Sequence, residues 1–72
     1  MEYVIVKYYR YRKVYLRGEH FGFTNRKLRV DRGTQSFDLG EPVNYTPSER
    51  RPFVKNTTPN KPMVITFEPM ES

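Results

Sequence analysis

Val14-Tyr15-Leu16-Arg17-Gly18-Glu19-His20-Phe21-Gly22-Phe23 reads as a strand followed by a glycine-bounded turn. A second alternating run, Arg26-Lys27-Leu28-Arg29-Val30, follows at once. Asp31-Arg32-Gly33 then turns the chain into Thr34-Gln35-Ser36-Phe37-Asp38-Leu39. Val14 and Leu16 alternate with Tyr15 and Arg17, Leu28 and Val30 with Lys27 and Arg29, and Phe37 and Leu39 with Ser36 and Asp38. A period of two with one apolar face is the pattern of half-buried antiparallel strands. Joined by tight turns, the runs predict a β-meander. Gly18 and Gly22 bracket the first turn, and Gly33 serves the second after Asp31, a favoured turn opener.

Upstream, 2–17 is rich in Val, Ile and Tyr, which favours strand. Its even positions run Val4, Val6, Tyr8, Arg10, Arg12, Val14, Leu16. One unbroken strand would turn two arginines into the core and span roughly 50 Å, too long for so small a domain. A bulge or corner near Arg10 to Arg12 is therefore expected, with the two halves on different edges or sheets.

Downstream, Pro42, Pro47, Pro52, Pro59 and Pro62 exclude a central strand from much of 41–62. Thr46-Pro47-Ser48-Glu49 reads as a helix start, with Thr as N-cap, and Pro52 limits it to one turn at most. Phe53-Val54 is expected as a short edge strand and Asn56 to Pro59 as a turn. Met63-Val64-Ile65-Thr66-Phe67 is a last strand with Met63, Ile65 and Phe67 on one face, ended by Pro69, and the final residues should fray. The expected fold class is all-β, a small antiparallel β-sandwich with at most one short helical turn. Val14, Leu16, Leu28, Val30, Phe37 and Ile65 should meet in its core.

Seventy-two residues make one domain, 1–72. A chain of this size buries only about 60% of the surface its unfolded form exposes, so modest stability is expected. It has no cysteine, which excludes disulfides, thiol chemistry and cysteine zinc sites. Small unstapled chains often gain stability by oligomerising or docking on a partner. No targeting segment and no run of the ~20 apolar residues needed for a membrane span is visible, so a cytoplasmic location is expected, unless the chain was excised from a longer precursor. The net charge of +5 favours acidic partners.

Catalytic chemistry finds little support. His20 is the sole histidine and lies between two glycines, where an exposed turn residue is the simpler reading than a metal ligand. The carboxylates are scattered, and Ser36, Ser48 and Ser72 have no relay partner nearby in sequence. Gly18 to Gly22 lacks the Lys-Ser/Thr and the helix of a phosphate loop, so it is read as hairpin geometry. Asn44-Tyr45-Thr46 and Asn56-Thr57-Thr58 match the N-glycosylation pattern, which is common by chance.

The sharpest functional signal is Lys7-Tyr8-Tyr9-Arg10-Tyr11-Arg12-Lys13, where cations interleave with flat rings. Lys13, Tyr15 and Arg17 share one strand face, and a hairpin with the next run would add Lys27 and Arg29 to it. Tyr9, Arg10, Tyr11, Arg12, Lys13, Tyr15, Arg17, Lys27 and Arg29 are thus the candidate partner-binding residues. Such a face suits an acidic protein surface, where Tyr and Arg are common anchors, or phosphates with stacked bases. It is also what a solvated sheet face guarded against aggregation looks like.

Val14 to Thr24, then Leu28-Arg29-Val30-Asp31-Arg32-Gly33 and Phe37-Asp38-Leu39, resemble the PEGA domain. That family runs from a strand through Gly, two or three residues, Gly, any residue, Thr, then through a strand ending in a Gly turn to another strand and an aromatic-Pro segment. Asn44-Tyr45-Thr46-Pro47 fits the last element. The similarity covers Val14 to Pro47 and, more loosely, the final strand. Tyr11-Arg12-Lys13 stands where the family has its Pro-Glu-Gly-Ala corner, and Asn25 replaces a common proline. The resemblance implies a small sandwich similar to transthyretin-like or immunoglobulin-like modules. Such domains serve bacterial and archaeal surface or regulatory proteins as non-catalytic interaction modules, and the resemblance supplies no catalytic residue. The expected function is a non-enzymatic interaction module that binds an acidic or protein partner, or self-associates. No cofactor, metal or small-molecule substrate is expected. The alternative is a small basic β-barrel that binds nucleic acid.

Overall fold

The computed structural model describes residues 1–70. The strands are β1 (Glu2–Lys7), β2 (Lys13–Leu16), β3 (Glu19–Phe23), β4 (Lys27–Val30), β5 (Gly33–Thr34), β6 (Phe37–Asp38), β7 (Tyr45–Thr46), β8 (Phe53–Val54), β9 (Met63–Thr66) and β10 (Glu68–Pro69). The fold is all-β, as the alternation predicts, and no helix forms among the described residues.

One layer has the order β4-β1-β9. β4 lies antiparallel to β1, whereas β9 lies parallel to it, an arrangement the sequence reading does not contain. The Phe67 N–H donates to the Lys7 carbonyl at 2.9 Å, which holds the chain against β1 past the end of β9. β10 then pairs antiparallel with β7, Glu68 opposite Thr46. The second layer has the order β3-β2-β6. Gln35 N–H bonds to the Pro52 carbonyl, and Phe37 and Arg50 exchange both backbone bonds. These links join β6 to the β5–β8 pair, so 33–38 and 50–54 run side by side as one irregular antiparallel ladder.

Between the layers lie Val4, Val6, Tyr8, Val14, Val30, Phe37, Leu39, Tyr45, Val54, Ile65 and Phe67, with Leu16, Leu28 and Met63 packed at the margin. The expected core residues do meet. Each aliphatic or aromatic side chain fully removed from water there stabilises by about 1.5–3 kcal/mol against the entropy of ordering the chain. The strand also breaks where two inward arginines demanded it, since β1 ends at Lys7 and β2 begins at Lys13, each in its own layer.

The meander does not form. The Asn25 N–H donates to the Val6 carbonyl at 2.7 Å and its Oδ1 accepts the Tyr8 N–H, which draws the chain into the first layer. β4 therefore pairs with β1, and β2 pairs instead with β3 and β6. Gly22 sits inside β3 and needs no unusual φ. A Cβ there would stand 2.6 Å from Leu28 Cδ2, so its bareness admits a side chain from the other layer. The helix start is also absent. Thr46 is held in β7 by its pairing with Glu68, and Glu49 turns to Ser36 and Arg51 instead of capping. The turn expected at Asn56 to Pro59 closes between Thr58 and Lys61. Pro69 does not end the last strand; it pairs with Tyr45, and Met70 N–H still bonds to the Asn44 carbonyl. The expected fraying at the C-terminus falls partly on 71–72, outside the described residues.

Candidate interaction face

The corner between β1 and β2 is organised by Thr24, a fully buried polar residue. Its hydroxyl accepts the Arg12 N–H at 2.8 Å and donates to the Arg10 carbonyl at 2.9 Å, while its own N–H donates to the Arg12 carbonyl. A buried polar group must be paired, and this one pairs both sides of a chain reversal. The corner then fixes where each basic and aromatic side chain goes.

Arg12 goes inward. Its guanidinium donates to Asn44 Oδ1 at 2.6 Å, and to the carbonyls of Pro42, Leu39 and Gly40 at 3.0, 3.2 and 3.4 Å. It also lies 5.0 Å from the ring centroid of Tyr45 and 5.8 Å from that of Tyr8. A planar fork of donors suits several carbonyls converging from one loop. Arg12 is thus a strut for 39–44, turned from the expected sheet face to that loop. Tyr45 completes the strut: its hydroxyl accepts the Leu39 N–H and donates to the Gly40 carbonyl. Burial pushes the Tyr45 phenol above its ordinary value, a shift only partly opposed by the Leu39 N–H.

Lys27 and Arg29 also leave the predicted patch. They project from β4 in the first layer, opposite Ile5 and Tyr3, and not beside Tyr15. Tyr9 and Arg10 stay together on the exposed corner, the guanidinium 5.8 Å from the Tyr9 ring. Tyr11, Lys13, Tyr15 and Arg17 remain on the second layer, with Arg17 in the turn at φ 53° beside Gly18 at φ 82°.

What the structure adds is a row of rings across the outer face of β2 and β3. Tyr15 lies 5.9 Å from His20, His20 lies 5.4 Å from Phe23, and Phe23 stacks on Tyr11 at 4.8 Å and 9°. Tyr11 is 57% exposed. Tyr15 rests over Gly40, whose Cβ would collide with the Tyr15 ring. Lys13 stands opposite Phe23 within the row. His20 is therefore a strand residue facing Tyr15, and not a turn residue.

His20 and Phe23 escape sequence reasoning for a local reason. Strict alternation along Glu19-His20-Phe21-Gly22-Phe23 pairs Phe21 with Phe23. The register shifts between Val14 and Tyr15, so Phe21 becomes an extra residue and the alternation flips. Phe21 then turns toward Leu16 and Val30, lining a cavity with them. The histidine takes its place on the outer face. The glycine within the strand is the one available signal for that bulge.

No group of three or more His, Cys, Asp or Glu that could hold a metal ion occurs among the described residues. No protein-family model matches this chain, and no curated protein or solved structure matches it.

Proposed function

We propose that this chain is a non-catalytic interaction module of PEGA-like build that recognises an acidic protein surface. The observation that carries this reading is the unbroken row Tyr15, His20, Phe23 and Tyr11, flanked by Arg10, Lys13 and Arg17. Rings bring large contact area at low conformational cost, and cations around them select carboxylates. The PEGA-like reading draws support from the break at Arg10 to Arg12 and from the positive φ of Gly18 and Gly33.

A protein partner fits better than nucleic acid on two counts. Tyr11 and Phe23 already stack on each other, which makes a continuous strip and not separate platforms for bases. Lys27 and Arg29 lie on the other layer, so the cations do not line up as a phosphate track.

The test is capture from an extract of the cells that express the chain, with and without nuclease, beside a Tyr11→Ala/Lys13→Glu variant. Protein capture that survives nuclease and is lost in the variant is the expected result. Capture that vanishes with nuclease would reassign the face to nucleic acid. Equal capture by the variant would move the site elsewhere. Light scattering of the purified chain separates self-association through the same row, where dimers would form without any extract.

A further inference from the structure

The geometry points to a second binding site, a slot beside β9 that accepts an extended acidic peptide as an added strand. Its backbone parity follows from one bond. Phe67 turns its N–H to Lys7, and residues alternate along a strand, so Met63, Ile65 and Phe67 address β1. Val64 and Thr66 therefore turn their N–H and C=O groups away from β1. No backbone partner meets them among the described residues.

The slot lies in line with β7. β7 pairs with β10 for two residues and would run on beside β9 if the chain continued straight. It leaves at Pro47 and reaches Arg50, which pairs with Phe37 in the other layer. An open groove of about 670 Å³ remains, with Met63, Val64 and Ile65 on one side and Pro47, Glu49, Arg50, Arg51 and Pro52 on the other. A guest strand continuing the course of β7 would lie antiparallel to β9 and fill a ladder position the chain itself vacates.

The outer edges of the two three-stranded sheets, at β4 and β3, are protected. β4 carries Lys27 and Arg29, and β3 is bulged at Phe21, both of which discourage pairing. β9 reads Met-Val-Ile-Thr, with Val64 52% exposed and no charge in the strand.

Charge selects the occupant. Arg50 and Arg51 face the groove from its wall. Glu49, the acid beside them, already accepts the Ser36 hydroxyl and the Arg51 Nε. A second copy of this chain would bring its own Arg50 and Arg51 against these, with a net charge of +5 on each copy. An extended segment carrying carboxylates between apolar residues meets both the edge and the wall.

The experiment titrates the capped hexapeptide Ac-Val-Glu-Val-Glu-Val-Glu-NH2 into isotope-labelled protein. It follows amide shifts and hydrogen exchange at Val64 and Thr66. The expected result is slowed exchange at those two amides, with affinity falling as salt rises. The Lys-for-Glu peptide should bind more weakly. Val64→Pro removes an outward N–H without touching the β1 ladder and should weaken binding about tenfold. Arg50→Glu/Arg51→Glu, on exposed side chains, should do the same if the proline variant folds poorly. Tyr11→Ala/Lys13→Glu should leave this binding unchanged, which separates the slot from the ring row. Unmoved Val64 and Thr66 amides at millimolar peptide, or equal binding of the Lys peptide, would overturn the proposal. So would a concentration-dependent dimer that protects the same amides without peptide.

Discussion

Two of the places where the chain passes between its layers, 8–12 and 47–52, are built in opposite ways. The first is closed by polar groups: Thr24 ties Arg10 to Arg12, Asn25 holds Tyr8, and the Arg12 fork fastens 39–44. The second is bounded by Pro47 and Pro52, with exposed side chains and the Arg50–Phe37 pair as its main tie. Both carry two arginines. Arg12 faces carbonyls and becomes structure, whereas Arg50 faces water and a groove and Arg51 pairs, among the described residues, only with exposed Glu49. A basic residue's role is thus set by the acceptors that the fold brings to it, not by the basic run it belongs to.

The contrast breaks first at Arg12. Arg12→Ala should cost about 3 kcal/mol, since it removes several charge-assisted bonds to carbonyls and the cover over Tyr45. Arg12→Lys should recover little of that, because an ammonium cannot span the fork. Urea unfolding measures both, and a loss within error for Arg12→Ala would make the two crossings alike.

Thr24→Val is the next largest. The shape is kept, but the part-buried Arg12 N–H and Arg10 carbonyl lose their partner, for an expected cost of about 1–2 kcal/mol. Exchange of the Arg12 amide should quicken at the same time, so an unaltered rate would place the organising group elsewhere.

Tyr45 gives a pH signature to the same strut. Its raised phenol stays protonated in the fold at a pH where the unfolded chain has released the proton. Its contribution is therefore complete below the ordinary tyrosine value and falls as pH rises above it. Thermal melts at alkaline pH should decline less steeply in Tyr45→Phe than in the parent. Parallel slopes would detach Tyr45 from alkaline unfolding.

The smallest effect belongs to the second crossing. Arg50→Glu/Arg51→Glu should change stability by no more than about 0.5 kcal/mol, as is usual for exposed positions. A larger fall in the melting temperature would show that 47–52 is braced by these side chains after all.

The alternation from Val14 to Leu39 and from Met63 to Phe67 settled, from sequence alone, that the chain is all-β and, outside Glu19 to Phe23, which side chains of those runs turn inward. The clash of two inward arginines with an apolar face placed the break between β1 and β2. These are local facts, because a strand's two faces are set by its own residues. Partner choice was not local. The Asn25–Val6 bond sends β4 to β1, one extra residue at Phe21 exchanges a phenylalanine for a histidine on the outer face, and four converging acceptors turn Arg12 from the surface into a strut. Pairing, bulges and the acceptors that a charge meets depend on what stands across the gap, and only the assembled layers supply that.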